Sequence, residues 1–365
     1  MKRYILTLLS FISALTLLAN DLSSGFSKTE YIETLKMNAA QKDTITPDAV
    51  FRSDKYDRIY RSPVVGLLNR WDLWMRKDKN EIGISLRGTA PEALSWLANF
   101  YAAMIPARGE IKINDSLTFN YKLAERSDAT VHAGWTFGLG SMASDIVQKI
   151  DSCYRTGVKN VLIFGHSQGG ALSHLTTAYL RYLQKDGKLP ADIVFKTYAS
   201  AAPKPGNLYF AYDYEHLTFG GWSYTVVNPE DWVPETPITV QTSEDFATTN
   251  PFRYVKPMLK KQKLLVRMAL KGAYNSMDKS TKKARKNVKK QLGYRTGKLI
   301  QKSKPQYVQP EFSRGIYYTR AGIPVVLMPD VEYYASFPKD AQENIFQHHM
   351  FEPYLMLAEK LPETK

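Results

Sequence analysis

Residues 160–180 read NVLIFGHSQGGALSHLTTAYL. The run 160–165 is apolar without alternation, which predicts a strand buried on both faces, as in a parallel sheet. Gly165-His166-Ser167-Gln168-Gly169 follows, and then a stretch of helix formers from Leu172 to Leu183. This order predicts a sharp strand-to-helix turn that holds a Ser hydroxyl in a strained backbone conformation. Small residues two before and two after the Ser let strand and helix pass close together. A helix N-terminus at that point aims amide dipoles at a developing oxyanion. The five-residue pattern by itself also describes a Gly-rich turn with a Ser cap. The buried strand before it and the helix after it make Ser167 the candidate nucleophile.

Outward from this stretch the alternation continues. WDLWMR (71–76), IGISL (82–86), ATVHAG (129–134), IVFKTYAS (193–200) and SYTVVN (223–228) read as strands. Helices are predicted over 90–104, with Pro91 suited to the first turn, and over 142–154, with Ile146, Ile150 and Cys153 on one face. Strands alternating with helices imply an α/β fold with a central, mostly parallel sheet flanked by helices. The pattern breaks after Pro237. Strand signals resume at GIYYT (315–319) and IPVVLM (323–328), and a last helix covers about 347–360.

The chain has 365 residues, 44% of them hydrophobic and 23% charged, which is globular composition and too apolar for a disordered chain. A single cysteine, Cys153, rules out an internal disulfide and any Cys-based zinc site. Neither a phosphate-cradling Gly loop nor an HExxH motif occurs, so no cofactor and no metal are expected. The formal net charge of +14 is concentrated in one place. Residues 253–304 carry 18 Lys or Arg and one acid, Asp278, for +17, which leaves −3 for the rest of the chain. Val255, Leu259, Val266 and Leu270, then Met277, Ala284, Val288 and Leu292, fall near helical spacing, so one or two basic amphipathic helices are expected between Pro257 and Pro305. The segment reads as a contact for an anionic membrane or lipid-particle surface, or as a solvated hairpin of mutually repelling charges. On the first reading, replacing Lys282, Lys283, Arg285 and Lys286 by Gln weakens surface attraction without touching any chemistry.

At the N-terminus, Lys2 and Arg3 precede an uncharged apolar stretch that ends at Ala19. This reads as a signal peptide, residues 1–19, or as the same stretch retained as an anchor. The mature protein is then expected to be exported, to the periplasm or beyond, where a nucleic acid partner is not expected.

GHSQGGAL (165–172) resembles the GHSLGGAL of class 3 lipases, within the α/β-hydrolase superfamily. Other segments resemble the same family in the same order. GISLRGT (83–89) is similar to its strand ending in an Arg-Gly-Thr/Ser turn, with Trp96 after it, and VHAGW (131–135) to its Val-His-x-Gly-aromatic stretch. APKPGN (202–207) resembles its Pro-Arg-x-Gly-Asn loop, and VVNPEDWVPETP (226–237) its Val-Asn-x-x-Asp-x-Val-Pro-x-x-Pro. The departures are Gln168 at a usual Leu, Ala201 at a usual Gly, and the long basic insertion, which leaves lid and substrate class open.

The resemblance implies an α/β-hydrolase domain over 20–365 with an insertion at 238–312, between the catalytic acid and the His. It also implies a secreted hydrolase of lipid carboxylic esters: a lipase, phospholipase or esterase. The alternatives are an inactive binding module for anionic surfaces, or a thioesterase or acyltransferase on the same scaffold. A Ser nucleophile needs a His base and a carboxylate that fixes the His tautomer, in the chain order Ser, acid, His. Asp231 follows a predicted strand and matches the family's acid, with Glu230 as competitor. Of six His, only His348 and His349 follow Asp231. The family's catalytic His tends to precede a Tyr-Leu by five residues, and Tyr354-Leu355 fits that offset from His349. The oxyanion hole maps to Thr89 and to the backbone N–H of Gln168. Arg87 is expected to brace its turn, and His166 to be packing.

Overall fold

The computed structural model describes residues 22–41, 49–78, 80–338 and 344–362; the segment read as a signal peptide lies outside them. The strands are β1 (Tyr56–Arg61), β2 (Trp71–Arg76), β3 (Glu81–Leu86), β4 (Met104–Pro106), β5 (Arg108–Asn114), β6 (Leu117–Lys122), β7 (Thr130–His132), β8 (Asn160–His166), β9 (Val194–Ser200), β10 (Ser223–Val227) and β11 (Ile323–Val326). The main sheet runs β1-β2-β3-β8-β9-β10-β11. β1, β2 and β3 pair antiparallel, and every pairing from β3 to β11 is parallel. β4–β7 and β5–β6 form two small antiparallel ribbons.

The helices are α1 (Lys28–Ala39), α2 (Ala93–Phe100), α3 (Ala133–Tyr154), α4 (Gln168–Lys185), α5 (Leu208–Leu217), α6 (Val255–Lys260), α7 (Leu264–Val288), α8 (Thr296–Ser303), α9 (Val331–Ser336) and α10 (Phe351–Glu359). Helices cover both faces of the sheet. Alternate residues of β8 serve different cores, because side chains alternate along a strand. Val161 and Ile163 pack with Ile146 and Ile150 of α3 and Leu172 and Leu175 of α4. Leu162 and Phe164 pack on the other face with Tyr31 and Leu35 of α1 and Tyr354 and Leu357 of α10. That two-sided burial is why the run lacks alternation. α1 is also tied to the sheet by Glu30, which accepts from Lys196 Nζ (2.5 Å) and Tyr198 Oη (2.7 Å).

Several expectations from sequence are corrected. The helix predicted from residue 142 begins at Ala133, so only Thr130–His132 of the stretch 129–134 is strand. Its first turns carry Gly134, Gly138 and Gly140 because neighbours press against the backbone: a Cβ at Gly134 would meet Ala98 O at 2.0 Å. The helix predicted over 90–104 is shorter, Ala93–Phe100, and the chain turns directly into β4. The stretch 315–319 forms isolated bridges, Ile316 with Val240 and Thr319 with Gly206, and no strand. The basic segment is helical over 255–260 and 264–303, with Pro257 inside α6 and a π-helical turn, Lys289–Arg295, joining α7 to α8. That turn is docked on the body: Ala103 N donates to Leu292 O (3.1 Å), Gly293 lies against Ala103 and Phe312, and Ile300 is fully buried.

Candidate active site

Ser167 sits between β8 and α4 with φ 62° and ψ −129°, a positive φ that costs a non-Gly residue energy. The surroundings enforce it. Ser167 N donates to Ser200 O (3.0 Å), and Gly170 N donates back to Ser167 O (2.9 Å). A Cβ on Gly165 would lie 2.2 Å from the Gly169 backbone, and one on Gly169 2.1 Å from Leu86 O, so the crossing of β8, α4 and β3 admits no side chain at either position.

Asp231 lies just past β10, 3% exposed. Its Oδ1 accepts from Val233 N (2.9 Å); its Oδ2 accepts from His349 Nδ1 (2.8 Å) and from Tyr354 Oη (2.8 Å). An Nδ1 that donates to a carboxylate leaves Nε2 as the basic nitrogen of His349. Glu230 points elsewhere, accepting from Tyr334 Oη (2.6 Å). His348 also turns away: its Nδ1 meets Tyr333 Oη at 2.7 Å, and the two rings stack.

His349 is fixed from behind as well. His166 Nε2 lies 2.7 Å from His349 O, and His166 Nδ1 lies 3.0 Å from Ser200 Oγ. Since a carbonyl only accepts, His166 donates from Nε2 to His349 O, and its Nδ1 pairs with the Ser200 hydroxyl. His166 therefore does more than fill space: it joins the end of β8 to the short helical turn that carries His349.

Thr89 and Gln168 share one neighbour, Asn99 of α2. Asn99 Nδ2 donates to Thr89 Oγ1 (2.9 Å), and Asn99 Oδ1 accepts from Gln168 Nε2 (2.7 Å) and Trp135 Nε1 (3.1 Å). A Thr hydroxyl that already accepts keeps its hydrogen free to donate. The Asn99 backbone carbonyl meets His132 Nε2 at 3.1 Å, and the His132 ring stacks on Trp135 with centroids 3.6 Å apart. Burial pushes His132 down to about 3, so this ring is neutral. Arg87 Nη2 donates to Leu68 O (2.5 Å) and braces the turn ahead of Thr89.

Ser167, His349, Thr89 and Gln168 all line one cavity of about 820 Å³. Its other walls are mainly apolar and aromatic, among them Leu86, Trp96, Trp135, Val233, Leu292 and Phe351. Phe100, Trp232 and Ile238 line it while remaining exposed, so the cavity opens to solvent. Among the described residues no group of His, Cys, Asp or Glu could hold a metal ion, and no helix is long and apolar enough to cross a membrane.

Asn99, His166 and Tyr354 form the supporting shell, and sequence reasoning missed the part each plays. His166 had been read as packing and Tyr354 only as an offset marker. The signal for Asn99 was weak: a polar residue on a helix that otherwise reads ALSWLANF.

Residues 83–241 match the family described as Lipase (class 3), which is less than half of the chain. Among solved structures, the chain is similar to the triacylglyceride lipase of Rhizomucor miehei, with 20% identity, 59% of this chain and 77% of that one covered, and a TM-score of 0.43. It is also similar to a triacylglycerol lipase from Penicillium expansum (16% identity, 57% and 72% covered, TM-score 0.43). A third is lipase II from Rhizopus niveus (19% identity, 57% and 74% covered, TM-score 0.41). No curated protein matches the chain.

Proposed function

We propose that this chain, whose residues 83–241 match class 3 lipases, is an exported serine hydrolase that cleaves carboxylic esters of lipids through an acyl-enzyme. One observation carries the reading: a Ser at positive φ on a helix N-terminus shares an apolar cavity with a His whose Nδ1 is bonded to a buried carboxylate.

In this mechanism His349 Nε2 takes the Ser167 hydroxyl proton as Ser167 Oγ attacks the ester carbonyl. Asp231 holds the imidazole in its tautomer and balances the imidazolium that forms. The carbonyl oxygen, now an oxyanion, receives hydrogen bonds from the Gln168 backbone N–H and from Thr89. His349 then returns the proton to the leaving alcohol. Water, activated by the same His, releases the acid and restores Ser167. The apolar walls suit an acyl chain, and the exposed end admits an alcohol moiety of any size. The domain reading that accompanies this function is one α/β-hydrolase unit over 20–365, interrupted by 238–312.

A substrate panel tests the reading. Purified protein is expected to hydrolyse p-nitrophenyl butyrate, and to release fatty acid from triacylglycerol or phospholipid, with a fluorophosphonate probe labelling Ser167. Turnover confined to acyl thioesters, or no labelling at all, counts against it.

Asn99 offers a second handle. Asn99→Ala removes the bond that orients the Thr89 hydroxyl and strands the Gln168 and Trp135 donors. An unmet buried donor costs ~1–3 kcal/mol, and a lost oxyanion donor ~2.7–4 kcal/mol of transition-state stabilisation. The expected outcome is a fall in kcat of about tenfold to a hundredfold with KM little changed. A rise in KM alone would place Asn99 in substrate binding instead.

A further inference from the structure

α7 is built inside out. The side facing the body is polar: Tyr274 Oη donates to Ser243 Oγ (3.3 Å), Lys282 pairs with Glu244 (3.2 Å) and Asp278 (3.0 Å), and Arg285 pairs with Glu244 (2.9 Å). Large apolar residues elsewhere on α7 are left open to solvent. Leu265 is 81% exposed, and Met268 and Met277 are each 63% exposed. Leu264 and Leu270 are exposed too, as are Phe252 and Met258 on the segment leading into α7. Lys256, Lys260, Lys261, Lys263 and Lys271 stand exposed among them. A contiguous exposed apolar patch marks an interaction surface. Here the polar contacts with 243–244 come from Tyr274 onward, and the apolar residues before it stay uncovered. Clustered ammonium groups around apolar side chains complement a surface that is anionic at its face and apolar beneath it.

We infer that α6 and the first half of α7 dock on an anionic phospholipid bilayer, with Leu264, Leu265 and Met268 entering the interface and the surrounding lysines meeting the headgroups. This goes beyond ester hydrolysis, since it assigns a binding surface separate from Ser167. The two are mechanically joined. α7 continues into the docked π-helical turn, where Leu292 forms part of the cavity wall. The geometry also separates the basic residues into two groups. Lys282 and Arg285 hold the helix on the body through Glu244, so replacing them tests folding of the hairpin and not its charge.

The test uses the full chain and vesicles of ether-linked phosphatidylcholine, with or without ether-linked phosphatidylglycerol. These lipids hold no carboxylic ester, so binding is read whether or not the protein is a hydrolase. Wild type is expected to sediment with the anionic vesicles and not with the zwitterionic ones, less so as salt rises. Each Lys near such a surface contributes about fivefold to partition, so Lys260→Gln, Lys261→Gln and Lys263→Gln together should lower binding on the order of a hundredfold. Leu265→Asn with Met268→Gln, at unchanged charge, should lower it by about tenfold or more. Both variants should hydrolyse p-nitrophenyl butyrate as wild type does, which reports an intact fold. Leu265→Trp should shift its emission to the blue on anionic vesicles and not on heparin. Equal sedimentation with both vesicle types overturns the proposal. So does full vesicle binding by the apolar variant without an emission shift in Leu265→Trp, which would mark the segment as a site for soluble polyanions such as nucleic acid. Failure of the catalytic reading is distinct: vesicle binding would persist in a protein that cleaves no ester.

Discussion

Ser167→Ala is expected to lower hydrolysis of p-nitrophenyl butyrate by about five to six orders of magnitude, the scale on which loss of a nucleophile acts when its partners work as a unit. The fold should survive. Ala and Ser meet similar steric resistance at φ 62°, and the backbone bonds from Ser167 N and to Ser167 O do not involve the hydroxyl. The measurement is kcat/KM beside a thermal melt. An unchanged melt with wild-type turnover removes Ser167 from the chemistry. An unchanged melt with turnover lost assigns it the nucleophile's role.

His349→Ala should cost nearly as much, because without a base the Ser167 hydroxyl keeps its proton, and Asp231→Asn about four orders of magnitude through the wrong tautomer. The contrast with His348→Ala gives this prediction its edge. His348 touches Tyr333 and not Asp231. Its loss should therefore appear as stability, about 1–2 kcal/mol for a buried hydrogen bond and stacked ring, with kcat close to wild type. The opposite ranking, turnover lost in His348→Ala and kept in His349→Ala, would move the base to His348. Small effects from both would take this loop out of the active site.

Elements whose residue pattern lies within a few adjacent positions were legible in the chain. β8 read as a strand because burial on two faces leaves an apolar run, and β9 and β10 because they are rich in β-branched and aromatic residues. The turn at Ser167 read as a turn because Gly165 and Gly169 are the residues a close crossing requires. Elements whose stability comes from distant partners were not. α1 has no apolar stripe to detect, since Glu33, Thr34 and Asn38 are buried in it beside Tyr31 and Leu35. β1, YDRIYR, is an edge strand with most of its side chains open to solvent. The start of α3 was hidden by its glycines, which look like a loop until Ala98 and Phe119 are seen pressing on them. The segment 315–319 has β-forming residues but finds only single bridges to Val240 and Gly206.

The same division runs through the site. By itself the sequence determined the elbow, because its strain, its small flanking residues and its helix N-terminus all lie within a few adjacent positions. With the resemblance to class 3 lipases it also favoured Asp231 over Glu230 and His349 over His348 as candidates. Tertiary structure alone brought Asp231 and His349 into contact and turned Glu230 and His348 elsewhere, because His349 and Asp231 are 118 residues apart and neighbouring side chains on a short helical turn point in different directions. It alone also placed Asn99 between Thr89 and Gln168, and left Leu264, Leu265 and Met268 of α7 open to solvent. The order of residues along a chain sets spacing within one element, but the direction a side chain takes is settled by what packs against that element.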